Sequence, residues 1–223
     1  MQFCVETKSG EYPIDINPSR VFVIGYSGSN MEKIMEHIKE LEEKLGVEPP
    51  AKIPTIFEVS KEIVTSNSDL YFVGEKTSGE CEYVILKKDG KFYIGLGSDH
   101  TDRDLESVSI TKAKQVSLKP IAKRIWEYDE IKDHIKEIEL NSKYDGKYYQ
   151  KGTLADILSL EEIIKELSDR VGELQDCIIF SGTVPLVDDY VYGEKFYLEL
   201  IDNVLGRKIT TEYSVNIIPE VAR

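Results

Sequence analysis

GECEYVILKKDGKFYIGLGSDHTDRDLE, residues 79–106, reads as two strands joined by a tight turn and followed by a dense polar segment. CEYVILKK and KFYIGLG are short and rich in β-branched and aromatic residues. Asp89-Gly90 between them is a hairpin signal, because two-residue loops need backbone that tolerates positive φ. Alternation puts Glu80 and Glu82 on one face, about 6–7 Å apart along the strand. Two carboxylates facing the same way repel each other unless a cation lies between them. A bare ExE also fits a solvated strand face. The second strand then runs into Asp99, His100, Asp102, Arg103, Asp104 and Glu106. Polar groups gathered at a strand end suit a site on a rigid scaffold, or a loop in which Asp102 or Asp104 caps the next element. Glu80, Glu82 and Asp99 offer oxygen ligands, the chemistry of Mg²⁺ or Mn²⁺. Zinc fits less well, since His and Cys do not cluster at ligand spacing.

Upstream of the hairpin, VFVIG (21–25) is an apolar run ended by glycine and reads as a buried strand. MEKIMEHIKELEEKLG follows as a helix: Met31, Ile34, Met35, Ile38, Leu41 and Leu45 recur at helical spacing, with Asn30 as cap and Gly46 as stop. His37 and Glu40 share a flank of that helix. An imidazole held by a carboxylate can act as a general base, and a surface pair on a Glu- and Lys-rich helix has the same spacing. Residues 1–20 read as polar and irregular. The prolines of EPPAKIPTIF make it an extended connector.

Downstream, ITKAKQVSLKPIAKRIW carries Lys112, Lys114, Lys119 and Lys123 beside an apolar stripe. A basic run in an acidic chain can meet an anion or balance the surrounding acidity. Asp145-Gly146 suggests a second hairpin, and SLEEIIKELSDRVG a second helix, with Ser159 and Glu162 in capping-box spacing and Gly172 past its end. TIFEVS, DLYFVG, DCIIFSGTVPL, EKFYLELID and RKITTEYSVNII read as strands. Gly182-Thr183 supplies a hydroxyl at a strand end, suited to a carboxylate ligand or simply to a turn. The expected class is α+β, mainly β, with an N-terminal appendage over 1–50 and a core over 51–223.

The chain has 223 residues, 28 Lys plus Arg against 41 Asp plus Glu, and a formal net charge of −13. That balance argues against nucleic acid or an anionic membrane surface as a main partner. No window approaches the roughly 18 apolar residues of a membrane span. The opening MQFCVETKSGEY lacks the basic-then-apolar order of a secretion signal. Three cysteines without CxxC spacing indicate neither a disulfide framework nor a zinc knuckle. A cytoplasmic protein is expected.

Taken in order, these segments resemble the fumarylacetoacetate hydrolase family. RVFVIG and then HIKEL resemble its opening strand and HxxE lid helix. PAKIPTIFEVSKEIV resembles its proline-led entry into the core, and GECEYVI its metal-binding ExE strand. SDHTDRDLE resembles the segment whose first Asp completes the metal site, and AKQVSLKPIA the segment of the active-site lysine. YDGKYYQKGTLADILSLEEIIKELS and DCIIFSGTVPL resemble its C-terminal stretch. The SDHTDR version resembles a bacterial branch of unknown function. The resemblance runs from about residue 20 to the end.

It implies a mixed β-roll core with a few flanking helices and a homodimer. It assigns Glu80, Glu82 and Asp99 to a divalent metal: Mg²⁺ foremost, with Mn²⁺ or Ca²⁺ as alternatives. It makes His37 and Glu40 a water-activating dyad and Lys114 an electrophilic stabiliser. Thr183 becomes a contact for the substrate carboxylate. Arg103 and His100 are further expected substrate-binding residues, His100 being a departure from the family pattern, beside the metal ligand, that can change substrate selection or serve as a second base. The implied reaction is hydrolysis of a C–C bond in a small anionic, acylpyruvate-like oxo acid through a metal-stabilised enolate. Alternatives are a decarboxylase, isomerase or hydratase on the same metal site, or a non-catalytic metabolite-binding relative. Two departures stand out. The family's GRNY loop is replaced by GYSGSN, and His37 lies twelve residues after Gly25.

Overall fold

The computed structural model describes residues 1–45, 48–144 and 146–220, without the side chains of residues 37, 40, 41, 44 and 45. Its main strands are β1 (Gln2–Thr7), β2 (Gly10–Asp15), β3 (Arg20–Gly25), β4 (Thr55–Val59), β5 (Asp69–Val73), β6 (Cys81–Lys88) and β7 (Lys91–Ser98). They continue with β8 (Arg124–Glu127), β9 (Glu139–Tyr144), β10 (Lys147–Thr153), β11 (Cys177–Thr183), β12 (Lys195–Asp202) and β13 (Arg207–Ile218). The helices are α1 (Met31–Leu45), α2 (Arg103–Glu106), α3 (Ile110–Val116), α4 (Tyr128–Ile131) and α5 (Leu160–Val171).

The strands form an eight-stranded sheet in the order β2-β1-β8-β7-β6-β11-β3-β4 and a five-stranded sheet in the order β10-β9-β12-β13-β5. Both are mixed: β1 with β8, β11 with β3 and β13 with β5 run parallel, and the other pairs are antiparallel. The expected mainly-β, α+β architecture is what the chain adopts.

Two apolar cores explain the composition of the central strands. Tyr83, Ile85, Ile94, Leu96 and Ile179 join one, with Phe196 and Tyr213 of the second sheet and Ile163 and Leu167 of α5. Val84, Leu86, Val21, Val23, Ile178 and Phe180 face the other, with Phe3 and Val5. A strand covered on both faces reads as a continuous apolar run, not as an alternating one. VFVIG and YVIL are such runs.

The turn signals hold where they can be read. Asp89 and Gly90 both have positive φ, 49° and 79°, the backbone of a tight hairpin turn. Ser159 and Glu162 cap α5 reciprocally, and Asn30 Oδ1 accepts from Lys33 N at the start of α1. Gly46 and Asp145 lie outside the described residues.

The N-terminus corrects the reading. Residues 2–15 form a hairpin, and β1 and β3 both lie within the eight-stranded sheet alongside β6 and β7. Residues 2–25 therefore contribute three strands to the large sheet. Phe3 and Val5 bury themselves at alternate positions, while β2 is an exposed edge with little apolar signal.

Candidate metal centre

The hairpin register builds the acidic cluster. Cys81 pairs with Ser98 and Glu82 with Gly97, and Asp99 N donates to the Glu80 carbonyl at 3.0 Å. This brings carboxylate oxygens of Glu80, Glu82 and Asp99 within 4.8 Å of one another. Glu82 and Asp99 are buried and Glu80 is partly exposed, so the cluster opens on the Glu80 side.

Each carboxylate has a different environment. Both oxygens of Asp99 meet lysines: Lys114 Nζ donates to Oδ2, and Lys119 Nζ lies 2.9 Å from Oδ1. Burial alone would raise the Asp99 carboxyl, but the two ammonium groups hold it well below the usual carboxylate range. Glu80 meets Arg103, Nη2 to Oε1 at 3.2 Å. Glu82 has no cation within ion-pair distance among the described residues. Its Oε2 accepts one backbone N–H, from Gly182 at 2.9 Å. Burial, reinforced by Asp99 and Glu80, pushes its carboxyl well up.

Gly182 can aim that N–H because φ there is +94°, and a Cβ would lie 1.7 Å from Ser27 Oγ. Gln150 of β10 ties the second sheet to the start of β6. Its Oε1 accepts from Cys81 N at 2.8 Å and from Ser142 Oγ at 2.9 Å, and its Nε2 donates to Val184 O and Thr183 Oγ1.

The donor set fits a hard divalent cation. All three ligands are oxygens. Glu82 is a buried carboxylate lacking a countercharge, and Asp99 Oδ1 has no aligned hydrogen-bond donor despite the nearby ammonium. Excess acceptors in a buried place are costly unless a cation satisfies them.

Of the other expected site residues, α3 delivers Lys114 to Asp99; burial acts to lower its ammonium, but the carboxylates of Asp99, Glu80 and Glu106 together raise it. Arg103 sits at the cluster but is tied down. It contacts Glu80 and Glu106, donates from Nε to Ser78 Oγ at 2.6 Å and stacks on Tyr190, with 6% of its side chain exposed.

Thr183 Oγ1 donates to the Cys81 carbonyl at 2.6 Å and accepts from Gln150, so its hydroxyl serves the strand junction. His100 is fully buried, stacked on Phe72 at 4.1 Å with Nδ1 against Tyr213 Oη at 3.0 Å. Burial, with Lys119 and Arg103 nearby, keeps its imidazole well below the usual range. Asp102 is the helix cap, accepting from Leu105 N at 2.9 Å. The backbone of α1 carries His37 and Glu40, whose side chains lie outside the described residues.

Sequence reading missed two groups. Lys119 stood in the same basic run as Lys114, but nothing local marks which lysine points inward. Tyr26, the residue after β3, has φ +53°, rare for a bulky residue. Burial raises its phenol, and Glu106, Lys114 and Glu80 are the charges acting on it, which places it beside the cluster.

The family model described as protein of unknown function (DUF2848) matches residues 24–213. No curated protein matches the chain. A fumarylacetoacetate hydrolase family protein from yeast is similar in structure at TM-score 0.66 and 16% identity, covering 90% of this chain and 94% of that one. The fumarylpyruvate hydrolase from Pseudomonas aeruginosa in complex with Mn²⁺ and pyruvate gives TM-score 0.64 and 17% identity, covering 99% and 96%. A 2-keto-3-deoxy-D-arabinonate dehydratase in its apo form gives 0.63 and 20%, covering 96% and 78%. The chain thus belongs to the DUF2848 family and has the fold of the fumarylacetoacetate hydrolase family.

Proposed function

We propose that the chain is a metal-dependent hydrolase that cleaves a C–C bond in a small, acylpyruvate-like oxo acid. The observation that carries this reading is the oxygen triad Glu80, Glu82 and Asp99, with the charged Lys114 bonded to its third member. A neighbour of the same fold holds Mn²⁺ and pyruvate, a 2-oxo acid. Glu80, Glu82 and Asp99 would hold the ion, Mg²⁺ by preference with Mn²⁺ or Ca²⁺ able to replace it. Bound there, a divalent cation supplies Lewis-acid stabilisation of the negative charge that develops as the bond breaks.

The chain's own residues supply the rest. Lys114, kept protonated by Asp99, is unsuited to be a base and suited to stabilise an anionic oxygen. Arg103, fixed by Glu106 and Ser78, holds Glu80 at the cluster. In this reading His37 and Glu40, the dyad the family resemblance implies, take a proton from the attacking water.

A lyase working through the same enolate, without attacking water, is the second reading. It is favoured by the dehydratase that shares the fold. His37→Ala separates the two. Assayed against acylpyruvates and 2-oxo acids with Mn²⁺, hydrolysis drops by about 10²–10⁴-fold if His37 is the base. Turnover that survives the substitution supports the lyase.

We also propose a homodimer in the cytoplasm. β5 is an edge strand, and Tyr71 and Val73 on it, with Ile217 and Ile218 on the adjoining β13, are exposed. An exposed apolar edge suits a second copy of the chain. No helix among the described residues is long and apolar enough to cross a membrane.

A further inference from the structure

Glu80 stands one residue before β6, outside the strand ladder. Its main-chain N–H donates instead to a side chain, Ser98 Oγ, at 3.1 Å. Ser98 Oγ lies 3.0 Å from Tyr213 Oη, and Tyr213 Oη lies 3.0 Å from His100 Nδ1. With each hydroxyl donating onward, His100 Nε2 is the one side-chain atom of this chain of bonds left without a partner.

Tyr213 comes from β13, in the other sheet, and is buried with its ring stacked on Phe196 at 5.5 Å. Its hydroxyl reaches Ser98 because residue 79 is glycine. A Cβ there would lie 2.2 Å from Tyr213 Oη and 2.8 Å from Ser98 Oγ. A buried phenol is costly unless its hydroxyl is bonded, and this one bonds to the side chain that holds the Glu80 N–H. Arg103 holds the Glu80 carboxylate and Gln150 the N–H of Cys81. The Ser98–Tyr213 pair adds a third hold, on the main chain of Glu80 itself.

We propose that Tyr213 is a positioning residue for the divalent ion. Through Ser98 it fixes the main chain of Glu80, the ligand on the open side of the cluster, so the second sheet sets the spacing of the triad. The inference rests on the proposed metal site. It adds a residue that acts through hydrogen bonds to a ligand's main chain, not through charge.

The test is titration of the metal-free protein with Mn²⁺, the free ion being read by its EPR signal. Groups that orient a metal ligand typically contribute about 10–100-fold in affinity. Tyr213→Phe keeps the ring and removes the hydroxyl, so its Kd for Mn²⁺ should rise about tenfold or more. Ser98→Ala should weaken binding to a similar extent. The double variant should match Ser98→Ala, because Tyr213 acts through Ser98. A merely structural tyrosine would lower the urea midpoint and leave Kd unchanged, and a wild-type Kd in Tyr213→Phe would overturn the proposal. So would a double variant whose loss is the product of the two single losses, since Tyr213 would then reach the site by another route.

If Tyr213→Phe does not fold, Ser98→Ala decides, since it cuts the same path at the Glu80 end; an unchanged Kd there would overturn the proposal. A wild type that leaves the Mn²⁺ signal undiminished would refute the metal site and the inference with it. That result is distinct from binding retained in both wild type and variants, which would refute the inference alone.

Discussion

At the turn between β12 and β13, Asp202 is fully buried and saturated. Oδ1 accepts from Val204 N at 3.1 Å and Leu205 N at 3.0 Å and meets His134 Nε2 at 3.1 Å, while Oδ2 faces Arg207 Nε at 3.4 Å. Arg207 continues to Glu130 and the Glu6 carbonyl, both at 3.1 Å, and lies over Trp126. What this network leaves over is a donor, the Nη2 of Arg207. At the Glu80–Glu82–Asp99 cluster acceptors are left over as well as a donor: among the described residues Glu82 has no cation within ion-pair distance, Asp99 Oδ1 has no aligned donor, and Arg103 Nη2 has no aligned acceptor. Both networks are buried ionic assemblies joining distant parts of the chain. The first is closed on itself and holds the two sheets together. In the proposed function the second is completed by a divalent cation.

That contrast can be broken most severely at Arg207. Arg207→Met strands Asp202 and Glu130 in a dry place, and loss of one partner of a buried pair costs about 3–5 kcal/mol. Urea unfolding should show this loss equally in EDTA and in Mn²⁺. A loss that Mn²⁺ repairs would mean that the two networks are not separate.

Lys114 tests the other side. Lys114→Met should lower kcat by about 10²-fold, the scale of one oxyanion donor, while Mn²⁺ still raises Tm. An unchanged kcat would remove Lys114 from the chemistry.

The smallest effect has the most telling sign. In the metal-free protein Glu82 carries a raised carboxyl. Its stabilising contribution is therefore present below the unfolded value, about 4.3, and is lost as pH rises towards the raised folded value. Asp99, lowered by its lysines, behaves oppositely and loses its contribution only as pH falls below the usual carboxylate range. In EDTA, Glu82→Gln should thus gain Tm over wild type, and the gain should grow as pH rises above about 5. A gain that does not change with pH would show that Glu82 is not strained by its charge.

Sequence patterns exposed the strands whose cause is local: the Asp89-Gly90 hairpin, the capped helix after Ser159 and the doubly covered runs VFVIG and YVIL. The acidic triad was also legible, because strand alternation and one hairpin register suffice to bring Glu80, Glu82 and Asp99 together. What escaped depends on contacts far apart in sequence. His100 looks like a loop residue, yet Phe72, Phe196 and Tyr213 of the second sheet enclose it. Lys119 looks like surface charge, and only the fold of the Ser98–Ile121 stretch back onto β7 buries it. The hairpin of residues 2–15 escaped because its outer strand is a polar edge with no apolar face to betray it.

The most direct test of the cation-deficient cluster is thermal unfolding of wild type and Glu82→Gln in EDTA, in Mn²⁺, and in Mn²⁺ with oxalate, a planar mimic of an enolised oxo acid. Ligands that bind only the native state stabilise it by mass action, by about 2.7 kcal/mol at 100 times Kd. The account predicts that Mn²⁺ raises the Tm of wild type, that oxalate raises it further only when Mn²⁺ is present, and that Glu82→Gln loses both responses. A wild-type Tm that is the same in EDTA, Mn²⁺ and Mn²⁺ with oxalate would contradict it.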